Sequence, residues 1–591
     1  MRYEEGITGM IIKREKAEKD RYFVMLMLFL AAFHLLLNRY VRIISFSTDE
    51  FIPVAVAAHY SGLDWMNARK FNYYYGYLTL VFFIPFFKIP FVYRNPFLLT
   101  QCLAGINTFF YLAQAAFLYK SVNLLGDFRN RKQAFWITLA GMCCLQVFNI
   151  GFGAQVEGLF CLSYMIVFYC FIQFAKGREN SLTPVIMAVF TGTAMINNSR
   201  GIVLLIASVM VLCLQLCSDR RMKKPILLYV TGTALIMCVH QYVVKPSYMQ
   251  FFMTGAANTD SGSLLGKLEL VLTDPEYTKS FVRIVIGWIW ALNVSTFGGF
   301  FISVIFICRK VSGALRLRKP EQMIIPAFIF LNIAGILALC GTMGVISAHD
   351  MFVLGEGSRA DMVIYTRYFA AITSITIAYG LYGFLTDSVL TSRKEWRLLF
   401  GCSYLSCKLF QVLDAPGMDG FQYGVNNTVF PAMFLQYFQD SHRYGFVLAE
   451  KFLLLHVLLF CILLLMKWMQ GKKELFLKFS AFLSIGVCIV YSVLIIGPRS
   501  DYYMTVFDEK IIEYCKNSDK MNIYAGGSMA PVMQYLLPDK KLYFQMDDQE
   551  ILIVPFGKEK SVDRMRYREI MTTSDWTIFE KIPGSFTKTP K

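Results

Sequence analysis

The chain has 591 residues, of which 56% are hydrophobic and only 17% are charged, with a formal net charge of +17 and a mean hydropathy of +0.47. Soluble proteins are about 45–50% apolar and about 25% charged, so this composition excludes an ordinary soluble multidomain protein. The basic residues are scattered in short clusters between apolar runs, which argues against a nucleic-acid partner. The 15 cysteines lie mostly within apolar runs, without C-x-x-C pairs or zinc spacing, and we interpret them as packing residues.

Apolar runs recur along the chain from Tyr22 to Gly497, and a helix of about 20 apolar residues crosses a bilayer. With the N-terminus in the cytoplasm, the loops on that side hold 28 of the 58 Lys and Arg residues and 11 of the 41 Asp and Glu residues. The positive-inside rule favours this orientation, and the excess equals the net charge of the whole chain. We therefore predict an α-helical polytopic membrane protein with about 13 spans. The predicted spans lie near 22–43, 97–119, 134–151, 158–175, 183–197, 201–217, 226–244, 284–307, 323–345, 368–387, 397–412, 446–466 and 479–497.

The outer loop 44–96 contains one further apolar stretch, from Tyr73 to Phe91. Counting it as a span would reverse the charge bias of the loops that follow. Pro85, Lys88 and Pro90 also make it a poor straight helix. We predict a re-entrant or juxtamembrane helix there.

The chain changes character after Gly497, where charged and mixed segments replace the apolar runs. Residues 1–497 are predicted to form the transmembrane module, and residues 498–591 a small α/β domain that an odd number of spans places outside the cell. The predicted strands are 521–525, 541–544, 551–556 and 575–581, with one helix between the first two and another over 562–571.

Two acidic sites are placed on the outer side by this topology. Asp49 and Glu50 follow the first span and precede the run Phe51 to Tyr60, which favours a helix start there. Capping accounts for one acid but not for two at an interface, so the alternative is a general base or a metal ligand. Glu157 begins a later span, where either the helix dipole or a substrate could explain a carboxylate.

Several basic residues lie in the predicted outer loops, although Lys and Arg are concentrated in the cytoplasmic loops. Snorkelling would explain any one of them, whereas as a set they indicate a site for an anionic lipid headgroup, because arginine suits phosphate. They are Arg94, Arg200, Lys245, Arg359 and Arg367. The outer loop 347–368 also contains His349, Asp350, Glu356 and Asp361, but their spacing does not favour a metal site.

Taken in order, these residues resemble the GT-C polytopic glycosyltransferases, in particular the branch of protein O-mannosyltransferases and lipid A aminoarabinose transferases. The matching elements are Asp49-Glu50, the segment Ser61 to Trp65, the aromatic stretch Tyr73 to Tyr77, Arg94, Glu157 and Arg200. The family often has a Lys-Pro-Pro or His-Pro-Pro sequence where this chain has Asn72 to Tyr77, and Arg200 replaces a common lysine.

The resemblance implies transfer of a sugar from a polyprenyl-phosphate carrier to an acceptor on the outer face, with inversion at the anomeric carbon. It implies that Asp49 is the base that deprotonates the acceptor hydroxyl, with Glu50 beside it. It further implies that Glu50 and Glu157 hold the acceptor or sugar and that Arg94, Arg200 and Arg367 bind the carrier phosphate. The family's own acceptor contacts do not carry over to the stretch Asn72 to Tyr77; we predict in addition that Tyr74 and Tyr75 contact the acceptor or sugar and that Tyr368 contacts the phosphate.

Two other functions stay open. One is a transporter or flippase for a lipid-linked sugar or polysaccharide, although such proteins tend to show inverted repeats, and this sequence shows none. The other is a structural membrane protein without catalysis.

The expected partners are a polyprenyl-phosphate sugar, membrane lipid and a glycan, lipid or protein acceptor, but no nucleic acid. No cofactor is indicated, and a divalent metal stays open. We expect a multi-pass protein of a bacterial plasma membrane, with the N-terminus in the cytoplasm and the C-terminus outside.

Overall fold

The structure is a computed structural model. It describes residues 21–43, 48–73, 75–126, 131–151, 153–217, 219–255, 257–258, 263–317, 320–355, 360–386, 390, 392–414, 422–423, 435–438, 443–446, 448–525, 530–546 and 548–584.

Helices dominate the first five hundred or so residues, as the apolar runs predict. The helices before residue 220 are α1 (Arg21–Asn38), α2 (Thr48–Tyr60), α3 (Thr79–Phe87), α4 (Pro90–Tyr93), α5 (Pro96–Gly126), α6 (Arg131–Met142), α7 (Leu145–Phe148), α8 (Glu157–Ala175), α9 (Thr183–Asn197) and α10 (Gly201–Leu216). They are followed by α11 (Lys223–Val239), α12 (Lys245–Met249), α13 (Leu264–Thr273), α14 (Pro275–Ser295), α15 (Gly299–Leu317), α16 (Ile324–His349), α17 (Ala370–Thr386), α18 (Arg393–Leu413), α19 (Leu448–Trp468), α20 (Lys473–Tyr491), α21 (Gly497–Thr505), α22 (Glu509–Asn517) and α23 (Ala530–Leu536).

Eight helical runs in the described part of the chain are long and apolar enough to cross a membrane. They are Arg21–Asn38, Pro96–Gly126, Glu157–Ala175, Arg220–Met249, Ile324–Leu354, Met362–Thr386, Leu453–Gly471 and Lys473–Thr505. Two bent helix pairs raise the number to ten. The chain is therefore a multi-pass helical membrane protein. The count of about 13 further requires the short helices α9 and α10 and the more polar α18, so that count stays a prediction.

The bent pairs correct two predicted spans. Residues 284–307 do not form one straight helix, because α14 and α15 meet at 108°. Phe297 and Gly298 at this corner have φ values of 50° and 82°, a left-handed conformation that cannot continue a right-handed helix. Residues 134–151 are likewise broken, since α6 and the run Leu145–Gly151 meet at 70° and Cys144 between them is extended.

The apolar stretch from Tyr73 to Phe91 forms the nine-residue helix α3 and the start of the four-residue α4. Each is much shorter than the roughly 20 residues that cross a bilayer. Placement of these helices in or on the membrane surface stays a prediction.

The C-terminal unit, which we define as residues 506–584, follows the last long helical run, Lys473–Thr505. The predicted domain boundary at residue 497 therefore lies inside that run. The unit contains β6 (Asn522–Ala525), β7 (Lys541–Tyr543), β8 (Ile551–Pro555), β9 (Tyr567–Thr572) and β10 (Trp576–Lys581), in the sheet order β7-β6-β8-β10-β9. β6 pairs parallel to β7 and β8, whereas β10 pairs antiparallel to β8 and β9.

The predicted helix over 562–571 is wrong, because residues 567–572 form the edge strand β9. The charged side chains Arg564, Arg568 and Glu569 are typical of an exposed helix face. The backbone instead pairs with β10, so that Glu580 lies opposite Arg568. Tertiary pairing thus overrides the local pattern.

Shorter strands form two further small sheets. β1 (Phe71–Asn72) pairs parallel to β2 (Ala257–Asn258). This pairing connects the first long loop, as we call the described part of residues 44–96, to the loop before α13. β3 (Gln422–Tyr423), β4 (Leu435–Phe438) and β5 (Arg443–Phe446) form a separate antiparallel sheet in the order β3-β5-β4.

The C-terminal unit packs onto the first long loop through one continuous hydrophobic core, which includes Phe51, Trp65 and Tyr535. Polar contacts surround this core. Trp65 Nε1 donates to the carbonyl of Pro538 at 3.1 Å, and Lys541 pairs with Asp64 at 3.1 Å. The C-terminal unit and the first long loop, which contains α2, therefore share one hydrophobic core.

Candidate functional site

A buried ion cluster lies where the membrane helices meet the first long loop. Nη2 of Arg367 lies 2.6 Å, and Nη2 of Arg200 lies 3.0 Å, from the same oxygen, Oε1 of Glu157. The three side chains are each at most 8% exposed. Buried charges are costly unless they are paired, so this carboxylate is held by both guanidinium groups. Two positive charges against one negative charge leave the cluster with a net charge of +1.

Three helix starts bring these side chains together. Glu157 is the first residue of α8, Arg200 directly precedes α10, and Arg367 lies in the turn Thr366–Phe369 that leads into α17. Helix N-termini carry partial positive charge. They stabilise the Glu157 carboxylate and, with both arginines, favour a further anion at this point.

Neighbouring polar and aromatic groups fix both arginines. Oδ1 of Asn198 accepts hydrogen bonds from the backbone N–H and from Nε of Arg200, each at 3.0 Å. The Arg200 guanidinium lies 4.8 Å from the ring centre of Tyr368, a cation–π contact. Nη1 of Arg367 donates to the Tyr365 hydroxyl at 3.3 Å. Of the residues predicted to bind a phosphate, the structure thus brings together Arg200, Arg367 and Tyr368.

Two asparagines hold the loop that leads to Glu157. Nδ2 of Asn107, in the middle of α5, donates to the carbonyls of Gly153 and Gln155, each at 2.9 Å. Nδ2 of Asn197, at the end of α9, donates to the carbonyl of Val156 at 2.5 Å. Asn107 is not among the predicted site residues, although a polar residue inside a 31-residue apolar helix is a signal for such a contact.

The aromatic stretch Tyr73 to Tyr77 of the first long loop packs against Asn197, the residue that holds the segment before Glu157. The backbone N–H of Gly76 donates to the carbonyl of Asn197 at 2.8 Å, and the hydroxyl of Thr79 donates to Oδ1 of Asn197 at 2.8 Å. The carbonyl of Tyr75 accepts from the hydroxyl of Tyr248 at 3.1 Å. Tyr75 thus lies beside residues that adjoin Glu157 and Arg200, whereas Tyr74 lies outside the described residues.

Gly76 is expected to tolerate no side chain. Its φ is 81°, and a Cβ there would lie 2.6 Å from Cγ1 of Val156. Left-handed backbone and overpacking together predict that Gly76→Ala lowers the unfolding free energy by about 2–4 kcal/mol. Gly62→Ala is the matched control, because Gly62 has a φ of 95° with nothing within 4 Å of a Cβ, and it should cost only about 1 kcal/mol. Thermal unfolding in detergent measures both, and equal losses would contradict the close contact with Val156.

The acidic pair after the first span begins α2, as the sequence predicts. Glu50 is buried, and its Oε1 lies 3.0 Å from where a Cβ on Gly153 would stand, so its carboxylate faces the loop that leads to Glu157. Asp49 occupies the first turn of α2, and its side chain lies outside the described part of the structure.

Arg94 does not join the ion cluster in the described structure. Its Nε pairs with Oδ2 of Asp539 in the C-terminal unit at 2.9 Å, and its side chain is 59% exposed. It therefore contributes to the contact between the unit and the first long loop. The predicted phosphate role of Arg94 has no geometric support here.

The outer loop before α17 lies only partly within the described residues. Nδ1 of His349 lies 3.7 Å from Oδ1 of Asp350, while Glu356 and Arg359 lie outside the description. No group of three or more His, Cys, Asp or Glu residues in the described ranges could hold a metal ion.

Comparison with solved structures identifies the architecture. Two crystal structures of ArnT from Cupriavidus metallidurans, one in the apo state and one bound to undecaprenyl phosphate, match with a TM-score of 0.51 and 12% sequence identity. The match covers 95% of this chain and 98% of ArnT. The chain has an ArnT-like fold. ArnT is a lipid A aminoarabinose transferase of the GT-C type, so the predicted resemblance is confirmed at the level of the fold.

The ArnT-like fold includes the C-terminal unit, because the match extends over nearly the whole chain. The oligosaccharyltransferase from Archaeoglobus fulgidus in its apo form also matches, with a TM-score of 0.43, 10% identity, and coverage of 89% of this chain and 65% of its own. No family model and no curated protein matches the sequence.

Proposed function

We propose that this chain is a membrane glycosyltransferase that moves a sugar from a polyprenyl-phosphate donor to an acceptor on the outer face of the membrane. The observation that carries the proposal is the buried cluster of Glu157, Arg200 and Arg367 within an ArnT-like fold.

The charge of the cluster suits the donor. A phosphodiester between a lipid and a sugar carries one negative charge, which balances the net charge of +1 on Glu157, Arg200 and Arg367. Arginine binds phosphate oxygens with strong charge-assisted hydrogen bonds, and the phosphate gains charge as the sugar leaves. The two guanidinium groups therefore stabilise the leaving group more as the reaction proceeds.

An apolar cavity of about 570 Å³ suits the lipid tail of the donor. It lies between α10, α13, α14 and α16, and its walls include Ile202, Val203 and Leu268. Because α10 begins directly after Arg200, the cavity starts within one turn of the residue that we assign to the phosphate. An isoprenoid tail in this cavity would place its phosphate towards Arg200. ArnT was crystallised with undecaprenyl phosphate, a lipid of this class.

The proposed reaction needs one base and one stabilised leaving group. The acceptor oxygen attacks the anomeric carbon, the bond from that carbon to the phosphate oxygen breaks, and the phosphate leaves with the electron pair. We assign the proton of the acceptor hydroxyl to the Asp49 carboxylate, since Asp49 directly precedes the buried Glu50 in the first turn of α2. Glu50, Tyr74 and Tyr75 then bind the acceptor or sugar, and direct displacement inverts the anomeric centre.

The transporter alternative is tested in proteoliposomes. Purified protein is reconstituted with a panel of polyprenyl-phosphate pentoses and hexoses that carry a labelled sugar. Release of free polyprenyl phosphate supports the transferase. Movement of the label across the bilayer on an intact donor would overturn it in favour of a flippase.

Arg200→Ala is expected to weaken donor binding more than it slows the chemical step. A hydrogen bond to a charged group contributes about 1.5–3 kcal/mol, so the apparent KM for the donor should rise about 10- to 100-fold. Arg309→Ala is the matched control, because Arg309 pairs with Glu395 on an exposed surface. Initial rates over a range of donor concentrations measure both variants. An unchanged donor KM in Arg200→Ala would contradict the phosphate role.

A further inference from the structure

The contact between the C-terminal unit and α2 contains buried polar groups that no described residue satisfies. The Tyr535 hydroxyl, at the end of a side chain only 2% exposed, has no hydrogen-bond partner among the described residues. Both polar atoms of the Asn67 side chain, which is fully buried, also have none there. Each such group costs about 1–3 kcal/mol when buried without a partner, so two in one contact require an explanation.

Both groups border the same tryptophan beside Glu50. The ring of Tyr535 lies 5.2 Å from that of Trp65 and 6.1 Å from that of Phe51, the residue directly after Glu50. Asn67 lies in the turn Met66–Lys70 that follows Trp65, and this turn packs against α2 and β7. The unsatisfied groups therefore lie between the C-terminal unit and the helix that carries the acidic pair.

The surroundings keep Tyr535 a hydrogen-bond donor. Burial, and to a lesser extent the nearby Glu50 carboxylate, raise the pKa of Tyr535 well above its ordinary value. A neutral hydroxyl that can donate and an amide that can both donate and accept, in the same contact region, match the hydroxyl groups of a sugar or an alcohol.

We propose that Tyr535 and Asn67 form a hydroxyl-binding subsite beside Glu50, through which the C-terminal unit contacts a hydroxyl of the sugar or of the acceptor. This inference rests on the proposed glycosyl transfer. It makes the C-terminal unit a part of the substrate site rather than an accessory domain.

Tyr535→Phe tests the subsite, because it removes an unsatisfied hydroxyl and keeps the ring. The variant should be at least as thermally stable as the wild type, since a buried group without a partner is lost. Its kcat/KM for release of polyprenyl phosphate should fall about 5- to 50-fold, as for loss of one hydrogen bond to substrate. Asn67→Leu, which has a similar shape, should show the same pair of effects.

Tyr567→Phe is the matched control within the C-terminal unit. The Tyr567 hydroxyl is buried but donates to the carbonyl of Gln549 at 3.0 Å. Its removal should lower the Tm and leave kcat/KM within about twofold of the wild type. A Tyr535→Phe variant that loses stability and activity together would overturn the subsite, because that result indicates a structural hydroxyl.

The assay also separates the two sources of the hydroxyl and the two proposals. If Tyr535→Phe slows hydrolysis of the labelled donor by water alone, the sugar hydroxyl is bound. If only transfer to a membrane lipid extract slows, the acceptor hydroxyl is bound. An active wild type with an unaffected Tyr535→Phe variant would overturn the subsite alone. A wild type that cleaves no donor would overturn the proposed function, and the subsite with it.

Discussion

Asp49→Asn is expected to lower sugar transfer by about 10²- to 10⁴-fold while leaving the Tm close to that of the wild type. The amide keeps the shape of the carboxylate but cannot take the proton of the acceptor hydroxyl. Asp49 lies in the first turn of α2, where a carboxylate contributes only about 0.3–1 kcal/mol through the helix dipole. Loss of a helix cap would therefore lower mainly the Tm, whereas loss of the base would lower mainly the rate of sugar transfer.

Asp508→Asn is the control for that variant. The Asp508 carboxylate caps α22 by accepting from the backbone N–H of Lys510 at 2.8 Å, far along the chain from the proposed base. It should lower the Tm slightly and leave turnover unchanged. If Asp49→Asn behaves like Asp508→Asn, then Asp49 is a cap and the base lies elsewhere, with Glu50 and Glu157 as the next candidates.

Glu157→Gln is expected to reduce both stability and transfer strongly. It leaves the guanidinium groups of Arg200 and Arg367 buried without a counter-charge, and breaking a buried ion pair costs about 3–5 kcal/mol. Glu474→Gln is the control, because Glu474 pairs with Lys132 and Lys478 at a half-exposed surface. That change should cost less than about 1 kcal/mol. Chemical or thermal unfolding in detergent compares the two variants.

A second substitution distinguishes the effect of Glu157 on stability from its effect on donor binding. In the double variant Glu157→Gln with Arg367→Gln, one buried positive charge is removed together with the negative one. Stability should recover in part, whereas the donor KM should stay raised because one phosphate ligand is lost. Equal stability of Glu157→Gln and Glu474→Gln would show that the cluster is not buried as described.

Much of the helical architecture could be predicted from the sequence, because membrane spans follow from apolar length alone. The corner between α14 and α15 was not predicted, although the segment Ser295 to Gly299 interrupts the apolar run there, because Phe297 adopts a left-handed conformation that its residue type disfavours. The edge strand β9 was missed for a related reason. Its charges fit a helix, and only the partner strand β10 determines its structure.

The site, too, was predictable residue by residue but not in how its residues come together. Glu157, Arg200 and Arg367 were each predicted as site residues, but the common oxygen that joins them depends on three helices that are distant in sequence. The sequence groups Arg94 with them, because it is another basic residue in a loop on the predicted outer side, where Lys and Arg are otherwise few. The structure places it against Asp539, a residue of the C-terminal unit that no local pattern connects to the first loop.

The central claim is the transfer of a sugar from a polyprenyl-phosphate donor, and the most direct measurement is product analysis with purified protein in detergent. The wild type and Asp49→Asn are incubated with labelled donors and a membrane lipid extract, and the lipid products are separated. We expect the wild type to release free polyprenyl phosphate and to pass the label to a new product with inverted anomeric configuration, and Asp49→Asn to do neither. Donors that stay intact with the wild type across the whole panel of sugars would contradict the account.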